Sequence, residues 1–346
     1  MPSARIGAAE SITRALRCGS QPVVLVRTVT GLERLAAEEL AASGHRVIDV
    51  SKRQIVIEPT TATIITSPPR LADDLFVVRA AVTDPGHTKQ ALATAVSDLV
   101  LPAVQEPFAV TASFHGRRNF NRFDVEDLIG GLLQELSGAR YHSRRTGAVP
   151  PAERVDWRVV LDGKMLWVGV RPFEVPLHRR EWRRRTVTGS LHPPVAAAMA
   201  RLAGLTAGHR VLDPFCGAGT LLLEAHAIEP DATYLGVDRQ PAAVEAACAN
   251  TAGRASIAWR TGDAVRLTGP VDRIVTNPPW DVRVRLGDFT PYLREWRRIL
   301  SPGGRVVAIL NQEQAALTSA HTAWRVVDAY DVAVAGQHPR ILVAEV

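Results

Sequence analysis

Cysteine is scarce in this sequence: Cys18, Cys216 and Cys248 are scattered over 346 positions. This spacing provides neither a disulfide framework nor a cysteine-based metal site. Long apolar runs are also missing, because no stretch reaches the roughly 18 residues that a membrane helix requires. We therefore expect a cytoplasmic protein that contacts no membrane and holds no metal.

The sequence also gives little indication of a leader segment or of an internal repeat. The stretch from Met1 to Arg17 contains arginine, serine and alanine, but it also contains Glu10, which disfavours a transit peptide. No internal repeat is present. A chain of 346 residues is long enough for two or three domains, each with its own core.

Net positive charge is missing from the second half of the chain. Residues 187–346 carry 15 basic and 15 acidic side chains, residues 1–100 carry 11 and 10, and residues 101–186 carry 15 and 10. Arginine suits phosphate through its planar fork of donors, and tryptophan can stack on a base, so the middle segment is a candidate nucleic-acid contact. An ordinary solvated linker is the alternative. The candidate contacts are Arg117, Arg118, Arg179, Arg180, Trp182, Arg183, Arg184 and Arg185.

A glycine-containing turn follows the first strand of this second half. The strand runs from His209 to Asp213, the turn contains Gly217 and Gly219, and an apolar helix follows from Leu221 to Ile228. Glycine lets the backbone approach a ligand closely, and the helix N-terminus offers unpaired amides to a carboxylate. The turn therefore predicts a small-molecule site.

Two acidic residues follow at later strand ends. The strand that starts at Thr233 ends in Asp238, a position suited to accept both hydroxyls of a ribose. A third strand, from Ser256 to Arg260, leads into Asp263, whose carboxylate can reach an adenine amino group. The candidate cofactor-binding residues are Asp213, Phe215, Cys216, Gly217, Ala218, Gly219, Thr220, Asp238, Arg239, Asp263, Ala264 and Asn277.

A fourth strand ends in an Asn-Pro-Pro-aromatic sequence, Asn277 to Trp280. The two prolines fix the backbone and donate no amide hydrogen, so the Asn277 side-chain oxygen and the Pro278 carbonyl can face one cleft. Two acceptors suit an NH2 group on a base, and Trp280 offers a face for stacking. The alternative is a turn that merely ends the strand. The candidate catalytic residues are Asn277, Pro278, Pro279 and Trp280.

These four ordered strand ends favour a class I S-adenosylmethionine-dependent methyltransferase. A nicotinamide-dinucleotide protein would explain the glycines, but its third glycine would fall at Leu222, and Asn277 to Trp280 would stay unexplained. Cys216 lies in the glycine turn rather than beside the prolines, which disfavours covalent catalysis at a pyrimidine carbon.

The sequence DPFCGAGT, from Asp213 to Thr220, together with Asn277 to Trp280, resembles the THUMP-domain RNA guanine-N2 methyltransferases. The resemblance implies N2-methylguanosine as product and tRNA as partner, with guanine 6 of the acceptor stem favoured and ribosomal RNA as the alternative. The sequence departs from the family pattern at Trp280, where Tyr or Phe is commoner, and at Asp281, where Gly is common.

The resemblance also implies the architecture. We expect an α/β chain whose class I catalytic domain, residues 187–346, has a doubly wound seven-stranded sheet with an antiparallel last strand. An α+β ferredoxin-like domain at 1–70, a THUMP domain at 71–177 and a basic linker at 178–186 would precede it. A monomer is expected.

Hydrophobic periodicity predicts the individual elements. In the first half, strands are predicted at 23–29, 47–50, 54–57, 75–82, 107–114, 157–161 and 166–170, and helices at 31–43, 87–99 and 124–136. In the second half, helices are predicted at 191–205, 221–228, 241–252 and 292–300, and strands at 209–213, 233–238, 256–260, 271–276, 305–310, 324–334 and 340–346.

Three alternatives stay open. Asn-Pro-Pro-aromatic sequences also serve methylation of an adenine amine or of a protein glutamine amide, although neither predicts a basic α+β module upstream. The guanine can belong to ribosomal RNA. The catalytic half can be vestigial in an RNA-binding protein, although Asp213, Asp238, Asp263 and Asn277 are all present.

Overall fold

The amino-terminal half forms one mixed sheet of seven strands. A computed structural model describes residues 22–60, 62–280, 286–334 and 336–346. The strands are β1 (Val24–Thr28), β2 (Arg46–Ser51), β3 (Gln54–Glu58), β4 (Ala72–Thr83), β5 (Phe108–Phe114), β6 (Val155–Leu161) and β7 (Met165–Val170). The helices are α1 (Glu33–Ala42), α2 (Thr63–Thr66), α3 (Lys89–Ser97) and α4 (Arg122–Ser137). The strand order is β2-β3-β1-β4-β7-β6-β5.

Strand β4 connects the part of this sheet formed by β1, β2 and β3 with the part formed by β5, β6 and β7. It pairs antiparallel with β1 on one side and with β7 on the other. The predicted β6–β7 hairpin is confirmed, and its turn is held by Asp162, whose Oδ1 accepts hydrogen bonds from Lys164 N and Met165 N at 2.8 Å each. Only β5 and β6 run parallel among these pairs.

The second half forms the predicted seven-stranded sheet. Its strands are β8 (Arg210–Asp213), β9 (Thr233–Asp238), β10 (Ile257–Thr261), β11 (Val271–Thr276), β12 (Leu300–Leu310), β13 (Arg325–Asp331) and β14 (Arg340–Glu345). Its helices are α5 (Pro193–Leu202), α6 (Thr220–Ile228), α7 (Pro241–Thr251), α8 (Thr290–Ile299) and α9 (Gln312–Ala320). The order is β10-β9-β8-β11-β12-β14-β13, and β14, the last strand in the chain, runs antiparallel to the others, as predicted.

Helices cover both faces of this second sheet. Val211, Val275 and Val307 lie in one apolar cluster with α5 and α6. Their chain neighbours Leu212, Ile274 and Val306 lie in another cluster with α8. Because successive strand residues point to opposite faces, the two clusters lie on opposite sides of the sheet, which is the doubly wound arrangement.

The two halves share an apolar core. The cluster that contains Val195 and Leu222 of the second half also contains Val24, Leu40 and Leu75 of the first half. Charged contacts add to it, because Arg70 and Arg180 both donate to the fully buried side chain of Glu224 on α6. Among the described residues, no helix combines the length and apolar character of a transmembrane span.

Candidate active site

A cavity of about 990 Å³ opens where strands β8, β9, β10 and β11 end. These strands are parallel, so their carboxyl ends meet at one edge of the sheet. All the predicted cofactor-binding and catalytic residues line the cavity except Gly219. Residues that the sequence did not single out also line it, in particular 186–191, Gln240, Tyr292, Val334 and Gln337.

The glycine turn needs its glycines for two reasons. Gly217 and Gly219 adopt φ values of 51° and 82°, a backbone conformation that residues with a Cβ atom rarely adopt. A Cβ on Gly219 would also lie 2.6 Å from the Trp259 ring. Trp259, on β10, therefore packs directly against the turn. Sequence periodicity did not indicate this role. Cys216 is buried within the turn, and burial raises the pKa of its thiol, so this cysteine is not a thiolate nucleophile.

Asp238 at the end of β9 holds the turn in place. Its Oδ2 accepts a hydrogen bond from Gly217 N and its Oδ1 accepts one from Gln240 N, each at 2.9 Å. Each carboxylate oxygen keeps a lone pair for a further donor, as two ribose hydroxyls require. Asp263 is braced in the same way, by Val265 N at 3.1 Å from its Oδ1.

Asp213 connects the turn to the strand that carries the Asn-Pro-Pro sequence. It is 1% exposed, and its Oδ1 accepts hydrogen bonds from Phe215 N at 3.1 Å and from Thr276 Oγ1 at 2.9 Å. Burial raises the pKa of Asp213 to about 7, against the opposing effect of these two bonds. Its carboxyl therefore fixes the position of Asn277, the residue that follows Thr276.

Asn277 lines the cavity at the end of β11. Its Nδ2 donates to the Gly189 carbonyl at 3.3 Å, which fixes the orientation of the amide. Its Oδ1 is buried and accepts no hydrogen bond from the residues that the structure describes. An unpaired buried acceptor is costly to the folded protein, so Oδ1 is a candidate acceptor for a ligand that donates at this point.

The rest of the Asn-Pro-Pro-Trp sequence is held by the start of α9, a helix that the sequence analysis missed. Gln314 Nε2 donates to the Pro279 carbonyl at 2.8 Å, and Asn311 Nδ2 donates to the Trp280 carbonyl at 3.2 Å. Asn311 and Gln314 also form the capping box of α9, a pattern readable from their spacing. Trp280 Nε1 donates to the Ile309 carbonyl at 3.1 Å, and Asp281 lies outside the described residues.

Two of the candidate RNA-contact arginines are engaged inside the protein. Arg118 forms a bidentate ion pair with Asp84, and both side chains are 3% exposed. Arg180 donates to Glu224, whose side chain is fully buried. Both guanidinium groups are therefore unavailable to phosphate, and Arg118 and Arg180 are removed from the candidate set.

The linker residues that follow Arg180 differ in exposure. Trp182 is partly buried: it packs against the shared apolar core, and its Nε1 is buried. Arg183 is half-buried, and burial lowers its pKa. Four candidate arginines are exposed: Arg117, Arg179, Arg184 and Arg185.

A histidine and aspartate cluster lies outside the cavity. Asp73, His178 and His192 bring one potential ligand atom each within 4.8 Å of the others. These groups already satisfy one another: His192 Nε2 lies 2.5 Å from Asp73 Oδ1, and His178 Nδ1 lies 3.1 Å from the Asp73 carbonyl. They join β4, the linker and the start of α5, and the expected absence of a metal stays a prediction.

Fold and site together define a class I methyltransferase, the class that uses S-adenosylmethionine. Residues 180–340 match the model of the family described as UPF0020, the RMKL-like methyltransferase domain. The tRNA (guanine(6)-N2)-methyltransferase of Thermus thermophilus is 33% identical, over 92% of this chain and 98% of that protein. The chain therefore belongs to the THUMP-domain RNA guanine-N2 methyltransferase family.

Two further comparisons agree. The crystal structure of TrmN from Thermus thermophilus aligns with a TM-score of 0.78 at 30% identity, covering 94% of this chain and 99% of that one. The U6 snRNA (guanine-N(2))-methyltransferase THUMPD2 of Bos taurus is 36% identical over 42% of this chain, which corresponds to 30% of that protein. The predicted family and fold are thus confirmed.

Proposed function

We propose that the protein transfers a methyl group from S-adenosylmethionine to the exocyclic N2 amine of a guanine in the tRNA acceptor stem. The observation that carries this proposal is the buried Oδ1 of Asn277, which accepts no hydrogen bond from the described residues. Asn277 lines a cavity large enough for both a cofactor and a base. A guanine amine has two N–H donors, and one of them can satisfy this acceptor.

The residues around the cavity fit the cofactor. Asp238 offers acceptors for the ribose hydroxyls, Asp263 for the adenine amine, and the amides at the start of α6 offer donors for the carboxylate. When bound, S-adenosylmethionine supplies an electrophilic methyl group. The chain's own task is then to align the acceptor amine and to exclude water.

Asn277 aligns the amine without acting as a base. Its carboxamide is neutral, so it orients the N–H group rather than removing the proton, which leaves after transfer. A hydrogen bond from the amine to Oδ1, with a second to the Pro278 carbonyl, would favour partial pyramidalisation of the nitrogen. The Gly189 carbonyl keeps the amide in the orientation that this role requires.

RNA docking is assigned to the exposed part of the linker. Arg179, Arg184 and Arg185 are exposed, and the same segment continues into residues 186–191, which line the cavity. A base held in a duplex must leave the stack to reach the cavity. The Thermus relative is a tRNA methyltransferase, which favours tRNA over ribosomal RNA as the substrate.

Nucleoside mass spectrometry after reaction with an unmodified tRNA transcript tests this proposal. N2-methylguanosine that maps to the acceptor stem is the expected product. Methyladenosine would replace the proposal with the adenine-amine alternative, and methylation confined to ribosomal RNA fragments would move the substrate to the ribosome. No product from either RNA, with folded protein and bound cofactor, would favour a vestigial catalytic half.

A further inference from the structure

The segment between the halves, residues 178–191, is held by side chains from two helices of the catalytic half. Arg180 donates to Glu224 on α6 at 2.8 Å. A few residues later, the backbone of the segment is bound by Asn250, near the end of α7. The second attachment uses main-chain groups, so it holds the path of the chain and leaves the Arg184 and Arg185 side chains exposed.

Asn250 uses the whole of its carboxamide for this attachment. Its Oδ1 accepts from Arg184 N at 2.8 Å and from Arg185 N at 2.9 Å. Its Nδ2 donates to the Arg185 carbonyl and to the Ala218 carbonyl, each at 2.9 Å. With two bonds accepted and two donated at 1% exposure, every hydrogen-bonding position of the group is occupied inside the protein.

The four bonds connect two functional segments. Ala218 lies in the glycine turn that lines the cofactor end of the cavity. Arg184 and Arg185 lie in the segment that continues to Gly189, whose carbonyl orients Asn277. One buried side chain therefore joins the exposed arginines to the cofactor turn, and the same backbone leads on to the catalytic amide.

We propose that Asn250 is a positioning residue that couples RNA binding at the linker to cofactor binding at the glycine turn. The proposal rests on the RNA-methylating function proposed above. RNA that engages Arg184 and Arg185 fixes the linker backbone, and Asn250 transmits this to the Ala218 carbonyl. Coupling of two sites is reciprocal, so each ligand raises the affinity for the other by the same factor.

The test compares cofactor affinity with and without saturating tRNA transcript, with S-adenosylhomocysteine as the probe in calorimetry. For the wild-type protein we expect tRNA to raise the affinity about fivefold or more, the lower end of typical couplings. In Asn250→Leu this ratio should fall close to one, and the cofactor KM at saturating tRNA should rise more than kcat falls.

Gln54→Leu is the matched control. Gln54 is also 1% exposed, and its amide bonds Arg27 and Asp162 within the amino-terminal sheet. If burial of an amide only stabilises the fold, both variants should lose stability and both should keep the wild-type ratio. A ratio of one in the wild-type protein, or an unchanged ratio in folded Asn250→Leu, overturns the proposal.

A second pair of variants covers the case in which Asn250→Leu does not fold. Arg185→Pro and Arg185→Ala both remove the side-chain charge, but only proline also removes the N–H that donates to Asn250. The affinity ratio should fall further in the proline variant, and equal ratios would contradict the coupling role.

The nucleoside assay on the wild-type protein separates this proposal from the proposed function. If no RNA is methylated, the function itself fails. If N2-methylguanosine forms and the ratio survives the loss of Asn250, only the coupling role fails.

Discussion

The two seven-stranded sheets of this protein use their polar and charged residues in different ways. In the catalytic sheet, parallel strands bring Asp213, Asp238 and Asn277 to one edge, where all three line a cavity. In the amino-terminal sheet most neighbours are antiparallel, so strand ends alternate between opposite edges and no edge collects them. Several buried charged side chains there bind one another instead, as Arg171 does with Asp74 and Asp156.

Arg171 illustrates the second use. Its guanidinium is 3% exposed and binds Asp74 and Asp156, 97 and 15 residues away in sequence. Arg118 with Asp84 is a second such pair. Arginine density in a sequence is therefore weaker evidence for RNA contact than polar residues at parallel strand ends are for a ligand site.

The largest effect is expected from the Arg118 ion pair. Arg118→Ala leaves Asp84 buried without its partner and should lower the free energy of unfolding by about 3–5 kcal/mol. Its exposed neighbour gives the control: Arg117→Ala should change stability by less than about 0.5 kcal/mol. Denaturant unfolding measures both, and equal effects would place Arg118 with the surface arginines.

Asn277→Ala should separate chemistry from binding. Turnover should fall by roughly 10²-fold or more, because the lost acceptor aligns the amine during transfer. Cofactor and RNA affinities should stay nearly unchanged, since neither depends mainly on this amide. Single-turnover kinetics and calorimetry give the two quantities, and normal turnover in the variant would exclude Asn277 from the reaction.

Asp213 should make stability depend on pH. Its folded pKa of about 7 lies above its unfolded value, so its contribution to stability is fully present below about pH 4 and is lost as pH rises through about 7. The free energy of unfolding should therefore fall by up to about 1.4 kcal/mol per pH unit on that rise, and Asp213→Asn should remove this slope.

A different aspartate serves as control for Asp213. Arg210 holds the pKa of Asp272 well below its usual range, so Asp272 stays ionised over the same interval. Asp272→Asn should therefore keep the wild-type slope. A wild-type slope that persists in Asp213→Asn would show that another group carries it.

The smallest effect is expected at the linker surface. Replacing Arg184 and Arg185 together with alanine should reduce the log–log salt dependence of RNA binding by up to about two units, one for each lost phosphate contact. Cofactor affinity without RNA should not change, because the backbone bonds to Asn250 remain. Arg325 and Arg340, which already pair with Glu345 and Asp331, give a double alanine control with the same loss of charge.

The sequence predicted the helices and strands, and it predicted the polar residues at the carboxyl ends of the catalytic strands, because both depend on local patterns. Alternating apolar residues marked the strands, and Asn277 followed its strand directly. The helix α9 was missed because Gln312 to Ala320 has weak apolar periodicity, although its capping box was readable. The 4-residue helix α2 was too short to give a period.

Contacts distant in sequence could not be predicted in the same way. Nothing local marks Asp84 as the partner of Arg118, 34 residues later, or Asn250 as the residue that binds the linker backbone. The Gly189 carbonyl that orients Asn277 lies 88 residues before it. These contacts depend on how the two halves pack, and they determine which predicted residues are exposed.

The close fit between the halves has a consequence for the exchange of halves between related proteins. A Cβ on Gly31, in the first half, would lie 1.9 Å from the Asp331 carbonyl in the second, and Ala333 N donates to the Thr30 carbonyl at 3.1 Å. Together with the shared apolar core, this fit makes the halves poor modules for exchange by recombination. A chimera of two relatives would therefore have to carry matched residues on both sides of this seam.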